Sequence, residues 1–279
     1  MYLKQERQME RVELNQFSFG LPSVSKFFSN RVKSMKKPLG IIDSFVLEER
    51  LLKKPAQLIK TQEAALLGMA SMMRMRDLET GYHIERTQSY MNVLAEETQR
   101  LDKKHYKIGK NMRALLYHSA PLHDIGKVAI PDEILRKSGL LNSCERAIME
   151  THTEKGRSII QEVEEILGTN SFLQTTREIA YSHHEKWDGS GYPLGLSETK
   201  IPLSARLMAI ADVYDALISK RSYKEAFSHR DSVEIIEQGA SVHFDPTLVD
   251  AFLHIRDHFR QIADRFANNR MQQQVLLAA

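Results

Sequence analysis

From Ile42 onward, Phe45, Leu52, Leu58, Ile59, Leu66, Met69 and Met73 recur at broadly helical spacing, and Pro55 interrupts them. This pattern predicts a helix, a kink and a second helix whose apolar stripe serves as core or as a homodimer seam. Asp77 to Arg100 continues as a helix with Ile84, Met91 and Leu94 on its apolar side, and residues 110 to 120 form the next. Val128 to Leu135 reads as a loop entering a short helix, with Asp132 near its start where an acidic side chain suits the helix dipole. Glu145 to Leu167 gives one or two amphipathic helices, Arg177 to His184 another, and Leu203 to Ser219 a helix with Leu207, Ile210, Ala211 and Ala216 packed inward. Closing helices run from about Ser228 to Phe266 around a His243-Phe244-Asp245-Pro246 turn, so the periodic stretches all read as helix. Residues 1 to about 40 carry no sustained period, and Gly20-Leu21-Pro22-Ser23 reads as a turn.

Composition narrows the setting. With 279 residues, 42% hydrophobic and 27% charged, the chain has the make-up of a globular protein with a sizeable core. It holds no run of eighteen apolar residues, and its amino terminus lacks the apolar centre of a signal peptide. The expectation is a cytoplasmic protein with no membrane segment. A net charge of +3 is too small to argue for nucleic-acid binding. The single cysteine, Cys144, cannot form an intrachain disulfide, so any metal site must rest on histidines and carboxylates.

The chemistry concentrates at Leu122-His123-Asp124-Ile125-Gly126-Lys127, where an imidazole and a carboxylate sit in an apolar stretch. Burying a carboxylate is expensive unless a cation or hydrogen bonds compensate it, and a divalent ion does so economically. A carboxylate has two oxygens and can bridge two ions while the adjacent imidazole binds one of them. Alone, the dipeptide reads as an ordinary surface pair. Its company changes that: Glu79-Thr80-Gly81-Tyr82-His83 upstream, then Thr151-His152, then His183-His184-Glu185-Lys186-Trp187-Asp188-Gly189-Ser190-Gly191-Tyr192-Pro193, then Ala211-Asp212. Glu79 and His83 are four apart and share one helix face, as do Asp212 and Asp215, three apart.

In these residues the chain resembles the HD-GYP domain family, a branch of the HD phosphohydrolases whose members hydrolyse cyclic di-GMP. The HD element is His123-Asp124 and the GYP element Gly191-Tyr192-Pro193; the likeness runs from about Arg76 to Phe252. It implies an all-α fold, the HD-superfamily helical bundle with additional HD-GYP helices, preceded by a short helical segment. The corresponding division is an adaptor or linker at 1–64, the HD-GYP domain at 65–266 and a tail at 267–279. Carried over position by position, the metal ligands are Glu79, His83, His123, Asp124, His152, His183, His184 and Asp212. Relatives with the glutamate can hold three ions and those without it two, so Glu79 implies a trinuclear site. Mixed imidazole and carboxylate ligation suits iron or manganese, with zinc, nickel or cobalt able to substitute.

The resemblance further implies hydrolysis of cyclic di-GMP to pGpG, and onward to GMP, by attack of a metal-bridging hydroxide, with Asp124 and Lys127 catalytic. Lys127, Tyr192, Arg221 and Lys224 fall to substrate binding, and Asp215 to holding a ligand in place. Many relatives carry a proline where this chain has Ser222, which bears on the stiffness of that loop. Two other readings stay open: an idle module binding cyclic di-GMP, or a GGDEF-domain protein through the Gly-Tyr-Pro loop, and an HD hydrolase of another cyclic dinucleotide.

Overall fold

In a computed structural model of the chain, Gly68, residues 82–219 and residues 225–278 are described. All lie in one unit that runs from Leu66 to Ala279. The 1–64 segment, the kinked helices around Pro55 with their dimer seam, and the side chains of Glu79, Arg221 and Lys224 lie outside the described residues.

Helix α1, His83–Leu101, is the element around which the others pack. It buries Ile84, Tyr90, Met91, Leu94, Ala95 and Thr98, a spacing of three and four that turns one continuous face inward. Helix α2, Lys110–Ser119, follows, and a 3-10 turn at Ala120–Leu122 carries Pro121 in its first positions. A second 3-10 turn, Ile125–Ala129, leads to the short helix α3, Asp132–Leu135. The expected Glu145 to Leu167 stretch is two helices, α4 at Ser143–Glu150 and α5 at His152–Leu167. Asn142 and Glu145 open α4 with a reciprocal capping box, and the chain breaks at Thr151, so His152 begins α5 rather than lying within it.

Helix α6, Ser171–Ser182, starts earlier than its apolar pattern suggested because the Asn170 side chain accepts from Leu173 N at 2.9 Å. Helix α7, Leu203–Ile218, buries Leu207, Ile210 and Ala211 as expected; Ala216 is only half-buried, and Leu217 takes the inward position instead. Helices α8, His229–Gln238, and α9, Pro246–Ala278, close the unit. Helix α9 loses helical geometry at Ile255 and continues past Phe266 through the stretch read as a tail. Among the described residues there is no strand, only isolated bridges at Asp188–Ser197 and Ala240–Phe244. No helix among them is long and apolar enough to cross a membrane.

Two cores do different work. The larger packs α1, α7 and α9 through Tyr90, Tyr214, Phe252 and Phe259, with Tyr90 and Phe259 stacked at 4.6 Å and Tyr214 edge-on to both. Each such ring pair adds about 0.5–1.5 kcal/mol beyond the area it buries. The smaller, Leu122, Ile125, Ile160, Leu173 and Ala180, seats the His123-Asp124 turn on α5 and α6. Asp245 secures the entry to α9: it accepts from Thr247 N, Tyr106 Oη and the Arg206 guanidinium, which gives the His243 to Pro246 turn a structural role.

Candidate metal centre

Four buried imidazoles are oriented by the same device. His123 Nδ1 donates to Ala120 O at 2.9 Å, His152 Nδ1 to Met149 O at 2.8 Å and His183 Nδ1 to Ile179 O at 2.9 Å. His83 Nδ1 donates to Asp215 Oδ2 at 2.8 Å. A carbonyl or ionised carboxylate can only accept, so the proton is fixed on Nδ1 and each Nε2 is left with a lone pair pointing inward. His123, His152 and His183 all lie at helix ends, where the carbonyl that accepts the ring proton also takes a backbone N–H: His123 N on Ala120 O, Thr151 N on Met149 O and His183 N on Ile179 O.

Those Nε2 atoms converge in two groups. Ligand atoms of Asp124, His152, His183 and His184 lie within 4.8 Å of one another, and so do those of His83, His123 and Asp212. Asp124 joins the groups. Its Oδ1 faces His152 Nε2 at 3.2 Å and His183 Nε2 at 3.6 Å, while its Oδ2 faces His123 Nε2 at 3.2 Å and Lys127 Nζ at 2.8 Å. In the second group His83 Nε2 stands 3.4 Å from His123 Nε2, and both approach Asp212 Oδ1 at 3.8 and 3.9 Å.

The donor set has the character of a metal cage. Asp124 Oδ1, His152 Nε2 and His183 Nε2 are buried with no hydrogen-bond partner despite their proximity, because the imidazole protons point elsewhere. Buried polar atoms are almost always satisfied, and three orphans aimed at one point call for a cation. Between His83 Nε2 and His123 Nε2 either a proton or an ion is shared. Burial, with His183 and His152 nearby, holds the His184 imidazole well below its usual pKa, and burial lowers His183 as well. Neutral imidazole is the ligating form. Burial opposes charge on Asp124, but Lys127 and His123 outweigh it and keep the carboxyl well below the usual range. His123 is the exception: burial works against its charged form, Asp124 overcomes it and raises the ring, so an ion at its Nε2 would take the place of a proton. The residues present therefore fit divalent ions.

Two groups that the residue pattern did not single out support this cage. Arg86 grips Asp215 with Nε at 2.5 Å and Nη2 at 2.7 Å, and Nη2 also reaches Ser219 Oγ at 3.0 Å. It lies one turn beyond His83 on α1, so helical spacing was the available signal. Burial resists ionisation of Asp215, yet Arg86 and His83 hold its pKa down, and the carboxylate fixes the His83 tautomer. The other is Glu185, buried beside His184, which accepts Leu194 N and Leu196 N.

The loop after α6 folds back over the centre. Tyr192 N donates to His184 O at 3.2 Å, and the Tyr192 ring stacks on His184 at 4.8 Å and meets His152 edge-on at 6.4 Å. Burial, and then Asp124, push the Tyr192 phenol above its ordinary pKa, so it stays a donor. Of the residues assigned by resemblance, His83, His123, Asp124, Lys127, His152, His183, His184, Tyr192 and Asp212 thus gather in one place.

Comparison with known proteins agrees with this geometry. The family model described as "HD domain" matches residues 51–248, reaching further back than the motif-bearing stretch. A "Probable cyclic di-GMP phosphodiesterase" of Vibrio cholerae is 46% identical over 80% of this chain and 51% of its own length. A "Cyclic di-GMP phosphodiesterase" of the same organism is 42% identical over 94% of this chain and 52% of its own. A third protein from Vibrio cholerae, "3'3'-cGAMP-specific phosphodiesterase 2", is 40% identical over 72% and 36%. The chain spans about half the length of the first two relatives. With its His123-Asp124 pair and its Gly191-Tyr192-Pro193 loop both in place, the chain belongs to the HD domain family, in the HD-GYP branch.

Proposed function

We propose that this chain is a metal-dependent phosphodiesterase that opens cyclic di-GMP to pGpG, with GMP as the product of a second cut. The observation that carries the reading is the Asp124 carboxylate, whose two oxygens face two separate clusters of ligand atoms beside the folded-back loop. His152, His183 and His184 would hold one ion, His83, His123 and Asp212 a second, and Asp124 both. Iron or manganese suits the donors best, and Glu79 would supply a ligand for a third ion. Bound divalent ions supply a water of lowered pKa and neutralise charge on the phosphoryl oxygens.

The rest of the chemistry belongs to side chains. Lys127, paired with Asp124 at 2.8 Å and only partly exposed, places a positive charge where a non-bridging phosphate oxygen would gain negative charge. Tyr192 offers a ring face for a guanine base and a protonated hydroxyl for phosphate. Arg221 and Lys224 would clamp the second phosphate or a guanine edge. The relatives named as cyclic di-GMP phosphodiesterases support this substrate, and the retention of every expected ligand type speaks against an idle receptor. The test is incubation of metal-loaded protein with cyclic di-GMP, 3'3'-cGAMP and linear pGpG, followed by chromatography. Appearance of pGpG from cyclic di-GMP is the expected result. Unchanged cyclic di-GMP that is nevertheless bound would sink the hydrolase reading, and exclusive cleavage of 3'3'-cGAMP would move the substrate.

Asp215 gives a further prediction. Asp215→Asn weakens the hold of Arg86 and frees the His83 ring to change tautomer, so metal affinity should fall about 10- to 100-fold. Competition against a chromophoric chelator measures it; an unchanged affinity would show that the His83–Asp215 bond does not serve the ion.

A further inference from the structure

We propose that Glu185 is a positioning residue that locks the Gly189 to Leu196 loop over the metal centre and so fixes where Tyr192 meets a cyclic dinucleotide. This rests on the functional reading just given. Glu185 is 2% exposed, belongs to neither ligand cluster, and accepts Leu194 N on Oε1 at 2.7 Å and Leu196 N on Oε2 at 2.9 Å. Each carboxylate oxygen is thus spent on the far arm of the loop. A buried carboxylate is retained only where its hydrogen bonds repay desolvation, and charge-assisted bonds to backbone N–H groups are among the strong ones.

Beyond Glu185, that arm is tied back, among the described residues, only at its end, by the Asp188–Ser197 bridge and by Glu198 N on Trp187 O at 2.8 Å. Leu194 is 56% exposed, so apolar packing does not pin it. The near arm is held differently: Gly191 lies so close to the preceding corner that an added Cβ would stand 2.3 Å from Lys186 N and 2.5 Å from His184 O. Tyr192 sits between these two anchors, on the His184 ring. Removing the Glu185 anchor releases one side of Tyr192 while leaving the ligand atoms of both clusters untouched. The expected signature is weakened substrate binding with a metal centre of full content.

The experiment compares the metal-loaded wild-type chain with Glu185→Gln, which keeps the size but sets an NH2 group against one of the two N–H donors. KM for cyclic di-GMP should rise about tenfold with kcat within about threefold, because the interaction lost is one made equally in ground and transition states. Metal content per chain should match wild type. Trp187, the chain's sole tryptophan, stands two residues from Glu185 and reports the loop directly: its emission should shift and become more accessible to acrylamide. Where Glu185→Gln fails to fold, Glu185→Asp, which keeps the charge but shortens its reach, should show the same rise and shift. Wild-type KM and emission in the variant would overturn the proposal, as would loss of metal. Should wild type itself cleave no dinucleotide, the functional reading fails, and Trp187 emission and quenching alone decide the loop-locking role.

Discussion

Asp124→Ala should reduce turnover of cyclic di-GMP by at least about a thousandfold, since it removes the group that both ligand clusters share. The variant should stay folded. Asp124 stands in a polar cage rather than in the packed core, and the partner it abandons, Lys127, has a flexible stem that can carry its charge outward. The Leu122, Ile125 and Ile160 core that seats the turn is untouched. Metal content should fall by at least one ion per chain, and Asp124→Asn, which conserves volume, should behave alike. Elemental analysis, thermal melting and product chromatography on the same preparation check all three, and wild-type turnover would show that the bridge is misassigned.

Gly126→Ala should act through the backbone instead. A Cβ at that position would lie 1.9 Å from His152 O and 2.4 Å from Gly156 N, both on the α5 backbone, so the turn and the helix must separate. Forced overpacking of this kind costs about 3 kcal/mol, which in a domain of this size lowers Tm by roughly 6–12 °C. Separation also draws His152 Nε2 away from Asp124 Oδ1, now 3.2 Å distant, so metal should be lost with stability. Gly139→Ala, where an added Cβ meets nothing within 4 Å, provides the control and should leave Tm in place. Equal melting of the two variants would contradict the close approach.

The contrast between these substitutions shows what the residue pattern could and could not reveal. Helical periodicity located α2 and α7 to within a few residues, because each has an apolar face that must be buried, whereas α1 begins at His83 behind a left-handed Tyr82, later than the Asp77 its pattern suggested. The early start of α6 turns on a single capping residue, Asn170, and the break at Thr151 on the backbone at that one residue; both are local and leave no period. At the site, ligand types and their order along the chain were legible, since few chemistries need that many imidazoles and carboxylates. What held them in place was not. Arg86 contacts Asp215 from 129 residues away, and Glu185 was hidden by the more conspicuous His183-His184 pair, though a carboxylate before a glycine-rich loop is itself a signal. Gly126 looked like part of a motif, while its physical reason, contact with the backbone of α5, exists only in three dimensions.

Anomalous diffraction at the metal edge, from crystals of the purified chain, tests the central claim most directly. At least two peaks are expected, one enclosed by Asp124, His152, His183 and His184 and one by His83, His123 and Asp212, with the Asp124 carboxylate between them and room for a third where Glu79 adds a ligand. A map with no peak inside that ring of side chains, or with ions only at the protein surface, would contradict the claim.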